Sequence, residues 1–214
     1  MTELDTAYMF TALVTMFVVI DPIAIAPLFL ALTTGMTAAQ RRRLAWRSVG
    51  VAGIILLIFA ISGEAVLGFI GISMPAFRVA GGILLFITAL DMLFERRTKR
   101  REGTAEQADD DDHDDPSVFP LAIPLIAGPG AIASVILLVG EKPGGEGLVT
   151  ILAITALTLV VMGLTMQASG YLERAIGKTG INVITRLLGM LLAALSVQFV
   201  LDGLTAFGFG PGAG

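Results

Sequence analysis

The chain has 214 residues, 55% of them hydrophobic and 15% charged, with a mean hydropathy of +0.85. A soluble domain has nowhere to hide that much apolar side chain, so the composition excludes a water-soluble fold and points to a polytopic membrane protein. The formal net charge of -4 comes largely from one acidic tract, there is no cysteine, and no basic aromatic surface appears; disulfides, thiolate metal sites and nucleic-acid binding drop out.

The N-terminus reads Met-Thr-Glu-Leu-Asp, without a basic leader or a small-residue cleavage signal. The apolar run after it is therefore expected to be a retained helix. Six spans fit the hydropathy, at about 8–33, 49–71, 77–94, 118–140, 148–170 and 184–204, each near the ~20 residues that cross a bilayer. Of the 14 Lys and Arg, 12 fall on one side: Arg41, Arg42, Arg43 and Arg47; Arg96, Arg97, Lys99, Arg100 and Arg101; Arg174, Lys178 and Arg186. Only Arg78 and Lys142 fall on the other. The positive-inside rule then predicts a multi-pass protein of the cytoplasmic (inner) membrane with both termini outside.

Span 1 carries Asp21, Pro22 and Pro27 in an otherwise apolar run. Each proline removes a backbone donor and disturbs the preceding turn, so the span is expected to be a broken helix. Such breaks survive at membrane depth only where protein or a water-filled cavity covers them. Asp21 has two readings. It binds a proton, a sodium ion or a substrate amine in a central cavity, or it caps the helix that follows it.

Span 4 has its own break at Gly128, Pro129 and Gly130, with Pro124 just before. It carries no charge, so its chemistry would be exposed amides at a half-helix N-terminus, suited to a carboxylate; the bland alternative is a kink with glycine used for packing. Paired with Asp21, it would suit a zwitterion.

The other intramembrane polar residues are weaker signals. Glu64 in span 2 is a gating or coupling acid, or a partner for an arginine such as Arg78. Arg78 opens span 3 and would bind a carboxylate; Arg186 is its counterpart in span 6. Asp91 and Gln198 correspond to each other and are further coupling candidates, although hydration at the interface also accounts for Asp91. Gly81, Gly82 and Gly189 suit close helix packing, and Trp46 suits an interface anchor.

The two halves echo each other. Pro22 maps onto Pro129, and Ser62-Gly63 onto Ser169-Gly170, at one separation of 107 positions. Arg78, Gly81 and Leu84 map onto Arg186, Gly189 and Leu192 one residue further on, which implies an insertion. With three spans per half, the second half must enter from the opposite side. The expected fold is thus all-α, six transmembrane helices as two inverted three-helix repeats with broken helices 1 and 4. The first repeat covers 1–97 and the second 118–205. Between them, 98–117 reads as a flexible acidic cytoplasmic linker, and 206–214 as a disordered tail. Asp109 to Asp115 surround His113 and would hold a divalent cation only loosely; a solvated linker is the expectation, with no metal site and no cofactor.

Three stretches together carry a family likeness. They are Asp21-Pro22-Ile23 through Pro27-Leu28-Phe29, Ile123-Pro124-Leu125-Ile126-Ala127-Gly128-Pro129-Gly130-Ala131, and Arg78-Val79-Ala80-Gly81-Gly82 with Ala89-Leu90-Asp91-Met92. With Val197 to Gly203, they resemble the MarC family of inner-membrane proteins, almost to the end of the chain. The resemblance implies six transmembrane helices and kinship with LysE-like exporters built from three-helix repeats. It also implies secondary transport of a small neutral amino acid or similar metabolite, with proton or sodium coupling open. A drug or metabolite exporter and a non-transporting membrane protein are the alternatives. An enzyme is not expected, because no paired histidines, cysteine or paired acids share a helix face.

Overall fold

The computed structural model describes residues 3–96 and 115–209, and among these residues every element is helical. The acidic tract up to Asp114, with His113, lies outside them, as does the tail from residue 210. The chain runs α1 (Glu3–Ile20), α2 (Pro22–Leu32), α3 (Ala38–Phe69), α4 (Met74–Leu93), a wide irregular turn segment π1 (Ser117–Ile126), α5 (Pro129–Glu141), α6 (Gly145–Gln167) and α7 (Ser169–Ala206). Five spans are long and apolar enough to cross a membrane, with Thr6–Leu32 counted as one. The count is six when π1 and α5, bent by 54° against each other, form one span.

Helix α3 starts at Ala38, about three turns before the apolar run does. Its start is fixed by a capping box: Gln40 N donates to Thr37 Oγ1 at 3.3 Å, and Thr37 N donates to Gln40 Oε1 at 2.8 Å. The arginine cluster therefore stands on helix. At 32 residues α3 is longer than a bilayer needs, so its basic first turns project into the headgroup layer. Helix α4 starts earlier than the hydropathy as well, where Ser73 caps and Pro75 fits the first turn. Helix α7 bends at Gly177, whose φ of 69° and ψ of 166° suit only glycine.

The bundle has an inner and an outer set. Within the apolar window of Thr6–Leu32, 61% of residues are buried, against 28% for α3 and α7. On α5 every residue from Ala133 to Leu138 is buried. Broad apolar faces on α3, α4, α6 and α7, including Ile54, Phe69, Ile87, Leu157 and Leu201, are left exposed, as lipid-facing surface must be.

Helices α4 and α7 make the closest pairing. A Cβ on Gly82 would lie 2.8 Å from Ser196 O and 3.1 Å from Val200 N; one on Gly189 would lie 3.2 Å from Ala89 O and 3.4 Å from Leu93 N. Backbone meets backbone at both crossings, which small residues alone permit. The glycines expected to serve packing do so. On the other flank, α3 packs on π1, α5 and α6, while α1 and α2 pack on α6 and α7.

Most of the linker expected over 98–117 lies outside the described residues, and its last residues lead into π1. Asp115 pairs with Arg47 and accepts hydrogen bonds from Ser117 N (3.0 Å) and Ser117 Oγ (2.7 Å), which anchors the entry to π1.

Candidate functional site

The first break is a single residue. Asp21 takes a left-handed backbone (φ 57°, ψ 65°), its N–H still donates to Phe17 O at 2.9 Å, and α2 starts at Pro22. Aspartate tolerates this region better than β-branched residues do. Its carboxylate is fully buried, with Oδ1 accepting from Ala24 N at 3.4 Å. Asp21 thus caps α2, as one of its two readings expected. A cap and a ligand are not exclusive, because a carboxylate has more lone pairs than one amide uses. Pro27, inside α2, offers no N–H to the Ile23 carbonyl.

The second break is longer. Phe119 and Ile123 are extended, and each precedes a cis proline, Pro120 and Pro124. Ala127 N donates to Ala122 O at 2.9 Å. Gly128 then caps α5 with an extended backbone and no side-chain bond, and Pro129 is the first helical residue. A Cβ on Gly128 would sit 2.5 Å from Pro124 O, so only glycine fits. Pro129 is exposed, while Gly128 and Gly130 are half-buried.

The breaks lie near each other. A Cβ on Gly130 would stand 3.3 Å from Val19 Cγ1, two residues before Asp21. It would also stand 3.7 Å from Leu85 Cδ2 and from Thr88 Oγ1. Asp91 follows Thr88 by about one helical turn on α4 and is 6% exposed. Burial at this depth displaces the hydrated reading of Asp91. Gly130 thus meets α1 beside Val19 and α4 beside Leu85 and Thr88, with buried Asp21 two residues on from Val19 and buried Asp91 one turn on from Thr88.

Other expected site residues lie elsewhere. Arg78 is ten residues before Thr88 on α4, so about 15 Å along the helix from the level of Gly130. Its charge acts on Glu141, as that of Asp202 also does, and its Nε is buried without a hydrogen bond. Gln198 is exposed and donates to Asp202 Oδ1 at 2.7 Å. Glu64 is exposed on α3 and forms no ion pair among the described residues. Arg186 pairs with Glu95 at 2.7 Å across the opposite end of the α4–α7 contact.

Several polar groups here gave no clear sign in the sequence. Tyr8 Oη donates to Leu138 O at 2.7 Å and ties α1 to the end of α5. Most membrane hydroxyls return to a carbonyl one turn back, as Thr33 does to Phe29 O and Thr158 to Ile154 O. Thr15, Ser134 and Thr155 are buried and their hydroxyl oxygens have no such partner. Two of them stand on the inner helices α1 and α5. A single Thr or Ser in an apolar run carries little weight, and only the fold shows which ones turn inward.

Apolar spans of bilayer length around two interrupted inner segments define a polytopic α-helical membrane protein. The chain belongs to the MarC family of integral membrane proteins, whose family model matches residues 6–207. It is 37% identical over 193 residues to a UPF0056 membrane protein of Methanocaldococcus jannaschii, covering 89% of this chain and 84% of that one. It is 37% identical to a UPF0056 membrane protein of Aquifex aeolicus, covering 90% of each chain. The UPF0056 membrane protein YhcE of Escherichia coli is 34% identical over 95% of this chain and 94% of its own. No solved structure matches the chain.

Proposed function

We propose that this protein is a secondary carrier, and not an enzyme, that moves a small neutral amino acid or similar metabolite across the cytoplasmic membrane. The observation that carries the reading is the approach of the two breaks, with the buried Asp21 carboxylate at one and the α5 N-terminus at the other. A carboxylate and the Ile23 carbonyl, which Pro27 cannot bond, suit an ammonium group or a coupling ion. The first amides of α5 suit a carboxylate, since a helix N-terminus carries partial positive charge. Thr15 and Ser134, buried without protein partners, support a hydrated interior, because an unmet hydroxyl costs about 1–3 kcal/mol.

We further propose that the chain is two inverted halves, with both termini outside. The packing supports a constant separation of 107 positions. Gly82 meets Ser196 O and Val200 N; Gly189, 107 positions after Gly82, meets Ala89 O and Leu93 N, which precede those partners by the same interval. Helices α2 and α5 start at Pro22 and Pro129, and α3 and α6 at Ala38 and Gly145, again 107 apart. The register pairs Gly82, not Gly81, with Gly189, so no inserted residue is needed in the third spans. Arg78 and Glu64 then act as end-of-bundle residues in the proposal, while Asp21 and Asp91 are its coupling groups.

Uptake of radiolabelled glycine and alanine into proteoliposomes, with and without proton and sodium gradients, tests it. Asp21→Asn in a protein that retains its helical spectrum should abolish flux. Unchanged flux would remove Asp21 from the mechanism, and flux indifferent to both gradients would remove the coupling.

A further inference from the structure

The arginines at the start of α3 divide into two faces with different fates. Arg47 pairs with Asp115, and the Arg43 charge also acts on that carboxylate. Arg41 and Arg42 point the other way, into a cavity of about 680 Å³ between the first turn of α3 and the junction of α6 with α7. Arg174 lines the same cavity, with Gln167, Ser169 and Tyr171. Among the described residues, no Asp or Glu lines it. Arg41, Arg42 and Arg174 form no ion pair among the described residues, and Arg41 Nε is buried without a hydrogen bond. Three arginines lining one cavity with no acid among the described residues repel one another, which is unfavourable unless an anion joins them.

The place and the donors define the anion. Arg42 lies seven residues before the apolar run of α3, about 10 Å outside the hydrocarbon and level with headgroups. Guanidinium forks match the tetrahedral oxygens of phosphate, and Gln167 adds neutral donor capacity. The helix is interrupted at Ala168, which makes room beside Ser169. We propose that this cavity is a binding site for a phosphate group, supplied by an anionic phospholipid headgroup or by free phosphate. The site is remote from the two breaks and does not depend on the transport reading.

The chain's one tryptophan reports on it. Trp46 is one turn beyond Arg42 on α3, partly exposed, with its ring against Gly163. The protein is reconstituted with phosphatidylcholine, and brominated phosphatidylglycerol or brominated phosphatidylcholine is titrated in while Trp46 fluorescence is read. Half-quenching should need less of the brominated anionic lipid than of the zwitterionic one. Each arginine contributes roughly fivefold to this preference, so Arg174→Gln weakens it by that factor and Arg41→Gln with Arg42→Gln nearly abolishes it. Arg43→Gln removes the same charge from the Asp115 face and should leave the preference intact; equal losses in Arg43→Gln and Arg174→Gln would overturn the site in favour of a diffuse surface charge. Inorganic phosphate added to protein in neutral detergent is the second arm. A rise in Tm lost in Arg174→Gln assigns free phosphate, whereas lipid preference without that rise assigns the headgroup. Neither response in folded wild-type protein refutes the proposal. Arg174 is exposed, so its variant folds even where the double variant does not.

Discussion

Replacing Gly82 with alanine adds one methyl group at the α4–α7 crossing, 2.8 Å from Ser196 O and 3.1 Å from Val200 N. Backbone atoms of a helix cannot step aside as a side-chain end can. The helices must separate by about 0.6 Å to restore ordinary contact, and a gap of that size forfeits roughly a quarter of the dispersion at the surrounding atoms. Overpacking of this kind costs about 1–3 kcal/mol. Alanine also favours helix by about 1 kcal/mol over glycine, which masks part of the loss. Gly50→Ala on α3 isolates that gain, because nothing lies within 4 Å of its Cβ. The expected difference between the two variants is therefore about 1–3 kcal/mol, with Gly82→Ala the less stable. Equilibrium unfolding in mixed detergent micelles, followed by circular dichroism, measures it. Combining Gly82→Ala with Gly189→Ala should cost less than the sum, since both push the same two helices apart. A Gly82→Ala protein as stable as Gly50→Ala, or strict additivity of the pair, would refute the close backbone contact.

Further expectations concern the breaks and the charged ends. Asp21→Gly keeps the left-handed backbone and removes the carboxylate, so it should fold and lose flux; Asp21→Val strains that backbone by about 1–2 kcal/mol and should lower Tm. Gly177→Ala should cost about 1–3 kcal/mol, read as a lower Tm, because φ of 69° with ψ of 166° excludes a Cβ. The Ser117 hydrogen bonds, and then Arg47 and Arg43, hold the Asp115 carboxyl below its ordinary value. Its stabilisation is full above the unfolded carboxylate pKa of about 4 and disappears as pH falls through the lower folded value. Wild type and Asp115→Asn should accordingly differ in Tm at neutral pH and converge in acid. Gly163→Leu would displace the ring of Trp46 and shift its emission to the red; an unchanged spectrum would contradict the packing.

The membrane class, the spans and both interruptions were legible because each rests on local chemistry. Bilayer-length apolar runs announce themselves, and an acid with two prolines or Gly-Pro-Gly cannot continue a helix. What escaped has a physical reason too. Hydropathy stops at Arg47, but hydrogen bonding does not, so α3 reaches back to Ala38 through its basic turns. Thr37 and Gln40 carried that signal, as a capping box. Glu64 and Asp91 look alike in a hydrophobic row, yet one faces out and the other is buried. The difference lies in which helices cover them, and no single-chain pattern encodes it. Arg78 opens span 3 in the sequence, and the rise of α4 keeps it at the end of the bundle near Glu141, away from the two breaks.

The division into an inner and an outer set of helices bears on how such a molecule could change shape. The exposed apolar side chains that would meet lipid stand mainly on α3, α4, α6 and α7, and few on α2 or α5. Tilting or sliding the interrupted pair would leave the protein's perimeter, and hence the annulus of lipid around it, almost undisturbed. The work of rearrangement would then be set by side-chain repacking inside the ring and would be nearly independent of bilayer thickness or fluidity.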